Sequence, residues 1–180
     1  MSGGEEGARG GGAGKPRRTS RGDYALFRPV QTRWSDVDVY GHVNNVVYYA
    51  WFDVAVNGWL VESGLLDPAA SPVVGLVAGT ACDYFESVGF PETVEIGLAV
   101  ASLGRSSVTY RLGVFRAGAE LAAAQGRFTH VHVERGTTRT APIPEGARAA
   151  MAALMRPAGE GAGGDDARRA AASPPPSSRP

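Results

Sequence analysis

The chain has 180 residues, 43% hydrophobic and 20% charged, so it is long enough and apolar enough for one folded domain. Its 18 basic and 18 acidic residues give a net charge of +0, which indicates neither a nucleic-acid partner nor an acidic membrane surface. The single cysteine, Cys82, excludes an intramolecular disulfide framework and fits a reducing compartment. No apolar run approaches the roughly 18 residues of a membrane-spanning helix. We therefore expect a cytoplasmic protein with no membrane partner.

Both ends of the chain are poor in large apolar side chains. Residues 1–21 are rich in Gly, Ser, Arg and Lys, and residues 157–180 consist mostly of Ala, Gly, Ser, Pro and charged residues. Such segments cannot bury enough apolar surface to offset the entropy lost on ordering, so we expect two disordered tails. The N-terminal tail also lacks the apolar segment of a secretory signal. The predicted domain is residues 22–156.

The first predicted element is a strand over residues 24–34, where apolar and polar side chains alternate. A polar loop follows it. A long helix is then predicted over residues 46–63, with Asn44 or Asn45 as its N-cap and Gly64 as its stop. The side chains of this helix are apolar nearly all round, so we expect other elements to enclose it.

After the helix, the periodicity is that of strands. Four more strands are predicted, over residues 73–84, 93–102, 107–116 and 120–135. A bulge is expected in the last strand, followed by Val131 and Val133, and a short helix is expected over residues 144–155. With no other layer available, one antiparallel sheet must curve round the long helix, which is an α+β fold. A single sheet also leaves one side partly apolar, and this favours the pairing of two subunits.

The segment before the long helix carries most of the chemistry. Residues 36–45 read D-V-D-V-Y-G-H-V-N-N. A helix start offers unpaired backbone N–H groups and a partial positive charge, so it can hold an anion or polarise a carbonyl. Carboxylates beside such a helix start therefore suggest acyl chemistry.

The D-x-D-x-x-G-H-V-N-N string and the order of elements around it resemble the hotdog-fold acyl-CoA thioesterases, more closely the 4-hydroxybenzoyl-CoA thioesterase type. The resemblance covers about residues 24–150. It includes L-G-R-S-S-V-T-Y at residues 103–110, which is similar to the family's turn between its third and fourth strands. The resemblance implies a hotdog fold with an antiparallel sheet wrapped round one central helix. It also implies hydrolysis of an acyl-CoA thioester without metal or other cofactor, in a homodimer or homotetramer.

The resemblance also implies roles for single residues. Asp38 matches the catalytic carboxylate, which acts either as a nucleophile on the thioester carbonyl or as a base that activates water. Asn45 matches the position whose backbone N–H polarises the thioester oxygen, and Gly41 matches a loop glycine that permits close approach. His42 lies in the same string and is included as a candidate, with a structural hydrogen-bonding role as the alternative. Asp36 is expected to be a structural neighbour.

Substrate contacts are implied at two further places. Asp53 matches an acyl-pocket position that meets a substrate hydroxyl in the aromatic-substrate members, and a structural polar contact is the alternative. The turn that contacts coenzyme A in the family is matched by Arg105, Ser106 and Ser107. A guanidinium and hydroxyl groups suit phosphate oxygens.

Two other functions remain open at this point: a non-catalytic acyl-CoA-binding module, and a hotdog hydratase or dehydratase. The hydratases need a catalytic Asp and His at a spacing different from that of Asp38 and His42. A pure binder has no need to keep Asp38 beside the thioester. His130 and His132 share a strand face but lack a third ligand at a credible spacing, so no metal site is predicted.

Overall fold

The computed structural model describes residues 16–156, so most of both expected tails lies outside the described residues. The α-helices and strands are β1 Leu26–Gln31, α1 Asn45–Glu62, β2 Val73–Tyr84, β3 Thr93–Leu103, β4 Ser107–Arg116, β5 Ala124–Glu134 and α2 Glu145–Ala153. The five strands form one antiparallel sheet in the order β1-β3-β4-β5-β2. Within residues 16–156, no helix is long and apolar enough to cross a membrane.

The first strand is shorter than predicted. It ends at Gln31, and Trp34–Asp36 form a single 3-10 turn. The Asp36 carboxylate explains this turn, because it accepts hydrogen bonds from the Arg33 backbone N–H at 2.8 Å and from Arg33 Nε at 3.0 Å. The Asp36 side chain therefore stabilises a turn at residues where the alternating pattern predicted an extended strand.

The expected bulge in β5 is wrong: the irregularity lies in its partner strand. The pairing of β2 with β5 shifts between Val77 and Gly79, so the extra residue is in β2 and β5 keeps its period of two. Every second residue of β5 from Ala124 to His132 is therefore buried. This places His130 and His132 on the core side, whereas Val131 is only half-buried.

The long helix packs on the sheet through one face. Its buried residues are Tyr48, Trp51, Phe52, Ala55, Val56, Trp59 and Leu60. The Phe52 ring occupies the space that a Cβ would need at Gly126 of β5, because such an atom would lie 2.5 Å from the ring. On the opposite face, Val46, Val54 and Val61 are exposed by 63%, 59% and 42%. One chain alone therefore does not enclose the helix, contrary to the expectation from its composition.

Residues 17–24, which we call the N-terminal strap, cross the outer face of the sheet. Residues 17–21 fall in the segment expected to be a disordered tail, yet Arg21 N–H donates to Glu120 O at 3.1 Å and Ala122 N–H donates to Thr19 O at 2.9 Å. These bonds also explain why β5 begins at Ala124 rather than at residue 120. The strap ends at Tyr24, whose buried ring takes space left by two strand glycines.

Candidate active site

The N-terminus of α1 has one backbone donor to spare. The Asn44 side chain caps the helix: its Oδ1 accepts from the Val46 N–H at 3.1 Å, and the Asn44 carbonyl accepts from the Val47 N–H at 3.0 Å. Among the hydrogen bonds of residues 16–156, none uses the Asn45 N–H, the first of the helix. This group points out of the helix at its positive end, where it can bind an oxyanion.

The turn before the helix is closed by hydrogen bonds to Asp38. Its Oδ1 accepts from the Tyr40 N–H at 2.8 Å and from the His42 N–H at 3.4 Å, and its own N–H donates to His42 O at 2.9 Å. Gly41 completes the turn with a φ of +81°, a conformation that suits glycine, and its N–H donates to Asp38 O at 3.0 Å. Asp38, Gly41 and His42 thus form one compact turn.

Asp36 lies behind this turn and is buried. Its carboxylate forms a salt bridge with Arg33 at 2.8 Å, and its carbonyl accepts from the Asn44 N–H at 2.9 Å. The contacts of Asp36 are therefore structural: they tie the turn of Asp38 to the helix cap. The two carboxylates of the string differ in exposure as well, since Asp38 is only half-buried.

A cavity of about 260 Å³ opens at the helix N-terminus. Its lining residues are His42, Val43, Asn45, Tyr48, Tyr84, Phe85, Glu86 and Ser87. Asp38 and Gly41 lie in the adjacent turn rather than in the lining. The helix start and the residues that leave β2 thus form the two sides of the cavity.

Tyr84 is a residue of this cavity that the sequence analysis missed. Its hydroxyl donates to the carbonyl of Asn45 at 3.3 Å, and its ring meets the Tyr48 ring edge-on at 5.1 Å. Burial is the main cause that raises the pKa of Tyr84, followed by its hydrogen bond with Cys82, so the phenol stays protonated. Tyr84 lies beside the helix start because β2 pairs with β5. No local sequence motif predicts this contact.

Cys82 precedes Tyr84 by two residues on the same strand face. Burial raises the pKa of its thiol to about 11. At neutral pH the group is therefore a thiol and not a thiolate, and a thiol is a poor nucleophile. Cys82 is half-buried and packs against the main hydrophobic core.

Asp53 does not reach the cavity in one chain. It is exposed on α1, eight residues after Asn45, which corresponds to about 12 Å along a helix. Its carboxylate accepts a hydrogen bond from Asn57 Nδ2 at 3.0 Å. The contact in this chain is thus a local one within the helix.

The predicted coenzyme A turn is also distant from the cavity in one chain. Ser107 pairs with Val131, whereas Val114 pairs with Ala124, the partner of Tyr84. Ser107 and Val114 are seven residues apart on β4, which corresponds to about 23 Å along a strand. Arg105, Ser106 and Ser107 therefore lie at the opposite end of the sheet from the cavity.

His130 and His132 are buried histidines near that opposite end. Among residues 16–156, the Nε2 atom of His130 and the Nδ1 atom of His132 have no hydrogen-bond partner. Burial is the main cause that lowers both pKa values, that of His130 to about 4, so both imidazoles are neutral at pH 7. Within residues 16–156, no group of three or more His, Cys, Asp or Glu side chains could hold a metal ion.

Known proteins are similar to this chain in fold and, in part, in sequence. The family model of the thioesterase-like superfamily matches residues 32–151. The crystal structure of the PA5185 protein from Pseudomonas aeruginosa is 52% identical, covers 77% of this chain and 97% of its own, and superposes with a TM-score of 0.75. A 1,4-dihydroxy-2-naphthoyl-CoA thioesterase from Synechocystis has a TM-score of 0.64 at 16% identity, over 70% of this chain and 94% of its own, so it shows the fold alone.

A curated relative, the uncharacterized protein YsmA of Bacillus subtilis (strain 168), is 27% identical over 86 residues. The match spans 48% of this chain and 58% of that relative, so the chain spans about three-fifths of its length. The α+β hotdog fold predicted from the sequence is confirmed by the sheet, the helix and the structural neighbours. The extent of the family match, from residue 32 before the candidate site to residue 151 in α2, identifies the chain as a member of the thioesterase-like superfamily.

Proposed function

We propose that the protein hydrolyses an acyl-CoA thioester to a free carboxylate and coenzyme A, as a cytoplasmic homo-oligomer of the 4-hydroxybenzoyl-CoA thioesterase type. The observation that supports this most directly is the unused Asn45 N–H beside the turn of Asp38. A donor aimed at the developing oxyanion is typically worth about 3 kcal/mol in the transition state of acyl transfer. The carboxylate and the donor are the two parts that thioester hydrolysis requires.

The reaction consumes one water molecule by either of two routes. In the first, an Asp38 carboxylate oxygen attacks the thioester carbon, the C–S bond breaks, and the thiolate takes a proton from solvent. Water then hydrolyses the resulting anhydride. In the second, Asp38 takes a proton from a water molecule whose oxygen attacks the same carbon, and the thiolate leaves and is protonated. The Asn45 N–H stabilises the oxyanion in both.

We propose further that two copies pair through β2. This strand lies at the edge of the sheet, has twelve residues, and contains neither Lys nor Pro to discourage pairing. Antiparallel pairing about its midpoint would lay Tyr84 of one copy near Val73 of the other. The Arg105–Ser107 turn of one copy would then lie at the end of the sheet that carries the other copy's cavity. A composite site of this kind accounts for the roughly 23 Å that separate these groups in one chain.

The test is thiol release from a panel of aliphatic and aromatic acyl-CoAs, with wild type, Asp38→Asn and Asp53→Asn. The Asn side chain keeps the oxygen that accepts from the Tyr40 N–H, so the turn is expected to survive in Asp38→Asn while the negative charge is lost. We expect Asp38→Asn to lose at least about 1,000-fold in kcat/KM. Asp53→Asn removes a carboxylate from α1 and is the matched control. It is expected to stay active, and any loss of kcat/KM should be limited to particular acyl groups of the panel.

Wild-type turnover by Asp38→Asn would show that the assigned mechanism is wrong. Tight binding of acyl-CoA by wild type without thiol release from any panel member would instead indicate a non-catalytic binding module. A set of thioesters that includes acyl-carrier-protein substrates also identifies which acyl carrier the site prefers.

A further inference from the structure

Glu86 brings a negative charge to the wall of the candidate cavity. Its backbone N–H and that of Phe85 both donate to the carbonyl of Ala123, at 3.0 Å and 2.9 Å, which fixes the chain where it leaves β2. Among the described residues that line the cavity, Glu86 alone is an acid. Coenzyme A carries several negative phosphate charges, so an isolated carboxylate at this wall would disfavour its binding.

Arg18 of the N-terminal strap lies against that carboxylate. Its Nη1 atom is 2.7 Å from Glu86 Oε1, its Nε donates to the carbonyl of Ala122 at 3.0 Å, and its guanidinium lies 5.6 Å from the centre of the Phe85 ring. The next residue anchors the strap, because Thr19 N–H donates to Gln125 Oε1 at 2.8 Å. Three different groups thus hold the guanidinium at the cavity wall.

We propose that Arg18 is a positioning residue for substrate binding: it neutralises Glu86 at the cavity wall, so that the cavity accepts an anionic thioester. This inference rests on the proposed function. The Arg18 and Glu86 side chains are 28% and 45% exposed, and ion pairs with such exposure contribute little to folding stability. An effect of Arg18 on substrate binding can therefore be separated from an effect on the fold.

The test uses the full chain with Arg18→Met, which keeps the apolar stem and removes the charge, and Arg18→Lys, which keeps the charge. Each variant is measured with one acyl group on two carriers, coenzyme A and the uncharged N-acetylcysteamine. We expect Arg18→Met to raise KM for the acyl-CoA about five-fold with kcat nearly unchanged. High salt should shrink that rise, since it screens exposed charges. Arg18→Lys should stay close to wild type.

The double variant Arg18→Met with Glu86→Gln decides the cause. If Arg18 acts by neutralising Glu86, removal of both charges restores KM for the acyl-CoA, and the uncharged thioester responds to neither substitution. An unchanged KM in Arg18→Met, an equal rise with the uncharged thioester, or a double variant as weak as Arg18→Met would each overturn the inference.

A failure of the proposed function is recognised separately, because wild type would then release no thiol from either carrier. In that case calorimetric binding of coenzyme A to wild type, Arg18→Met and the double variant tests the same charge effect without turnover. We expect the dissociation constant to rise about five-fold in Arg18→Met and to recover in the double variant. Equal binding by all three proteins contradicts the inference.

Discussion

The Asn44 side chain accepts a hydrogen bond from the Val46 N–H at 3.1 Å, and the Asn44 carbonyl accepts from the Val47 N–H. The cap thereby occupies two of the first three backbone donors of α1 and leaves the Asn45 N–H for a ligand. The same Asn44 is tied through its own N–H to the carbonyl of Asp36, behind the turn of Asp38. The helix cap and the turn of Asp38 are thus one hydrogen-bonded unit.

Loss of this cap should affect stability and activity together. Asn44→Ala removes the acceptor for Val46 N–H, and substitutions of this kind cost about 1 kcal/mol. We expect a lower melting temperature and a kcat reduced by roughly ten-fold, because the freed helix start frays and the Asn45 N–H is less well placed. Thermal unfolding and thiol release measure the two effects. Asn57→Ala on the same helix is the control and should leave kcat unchanged, and equal losses in both variants would contradict the role of the cap.

Much of the fold was predictable because its periodicity is local. Strands β2 and β4 begin and end at the predicted residues, and α1 runs from just after its cap to the stop at Gly64, whose φ is +68°. These features depend on alternating side chains, on a capping amide and on a glycine that adopts a left-handed conformation. Each of them acts over a few residues.

Long-range contacts explain what the sequence analysis missed. Tyr84 and Glu86 reach the helix start only because β2 pairs with β5. The N-terminal strap looked like a tail because it is poor in apolar residues, yet Arg21 stacks on the rings of Phe27 and Phe115 and forms an ion pair with Glu95. His130 lies on the core face because side chains alternate along β5, and this alternation fixes the face of each residue even where its side chain is polar.

Packing of the helix on the sheet should be sensitive to one methyl group at Gly126. A Cβ there would lie 2.5 Å from Phe52 Cε2 and 2.7 Å from the backbone oxygen of Ala81, and the backbone cannot move aside cheaply. We expect Gly126→Ala to destabilise the protein by about 1–3 kcal/mol in urea unfolding. Gly79→Ala in β2, where a Cβ meets nothing within 4 Å, is the matched control and should change stability by less than about 1 kcal/mol. Equal effects would show that α1 is not packed closely at this point.

Pairing through β2 predicts that a charge on this edge strand separates the copies. Val77 is 51% exposed in one chain and lies in the middle of β2, directly before the point where the pairing with β5 shifts. Val77→Glu should yield a monomer, because it would place one carboxylate of each copy close to the two-fold axis of the shared edge. It should also lower kcat/KM by at least about ten-fold if the site is composite. Light scattering gives the mass, and Ala117→Glu in the exposed β4–β5 turn is the control. A dimeric Val77→Glu would exclude this interface.

The buried histidines predict a loss of stability in mild acid. The pKa of His130 falls from 6.5 to about 4 in the folded chain, first because of burial and then because of His132. Between pH 6.5 and about pH 4, the unfolded chain binds more protons than the folded chain. The contribution of His130 to the free energy of unfolding is therefore fully present above about pH 6.5 and declines as the pH falls toward about 4. The full shift corresponds to about 3 kcal/mol. Urea unfolding at pH 7.5 and pH 5 should show the decline, and His130→Phe should reduce it. A His130→Phe slope equal to that of wild type would assign the acid sensitivity to other groups.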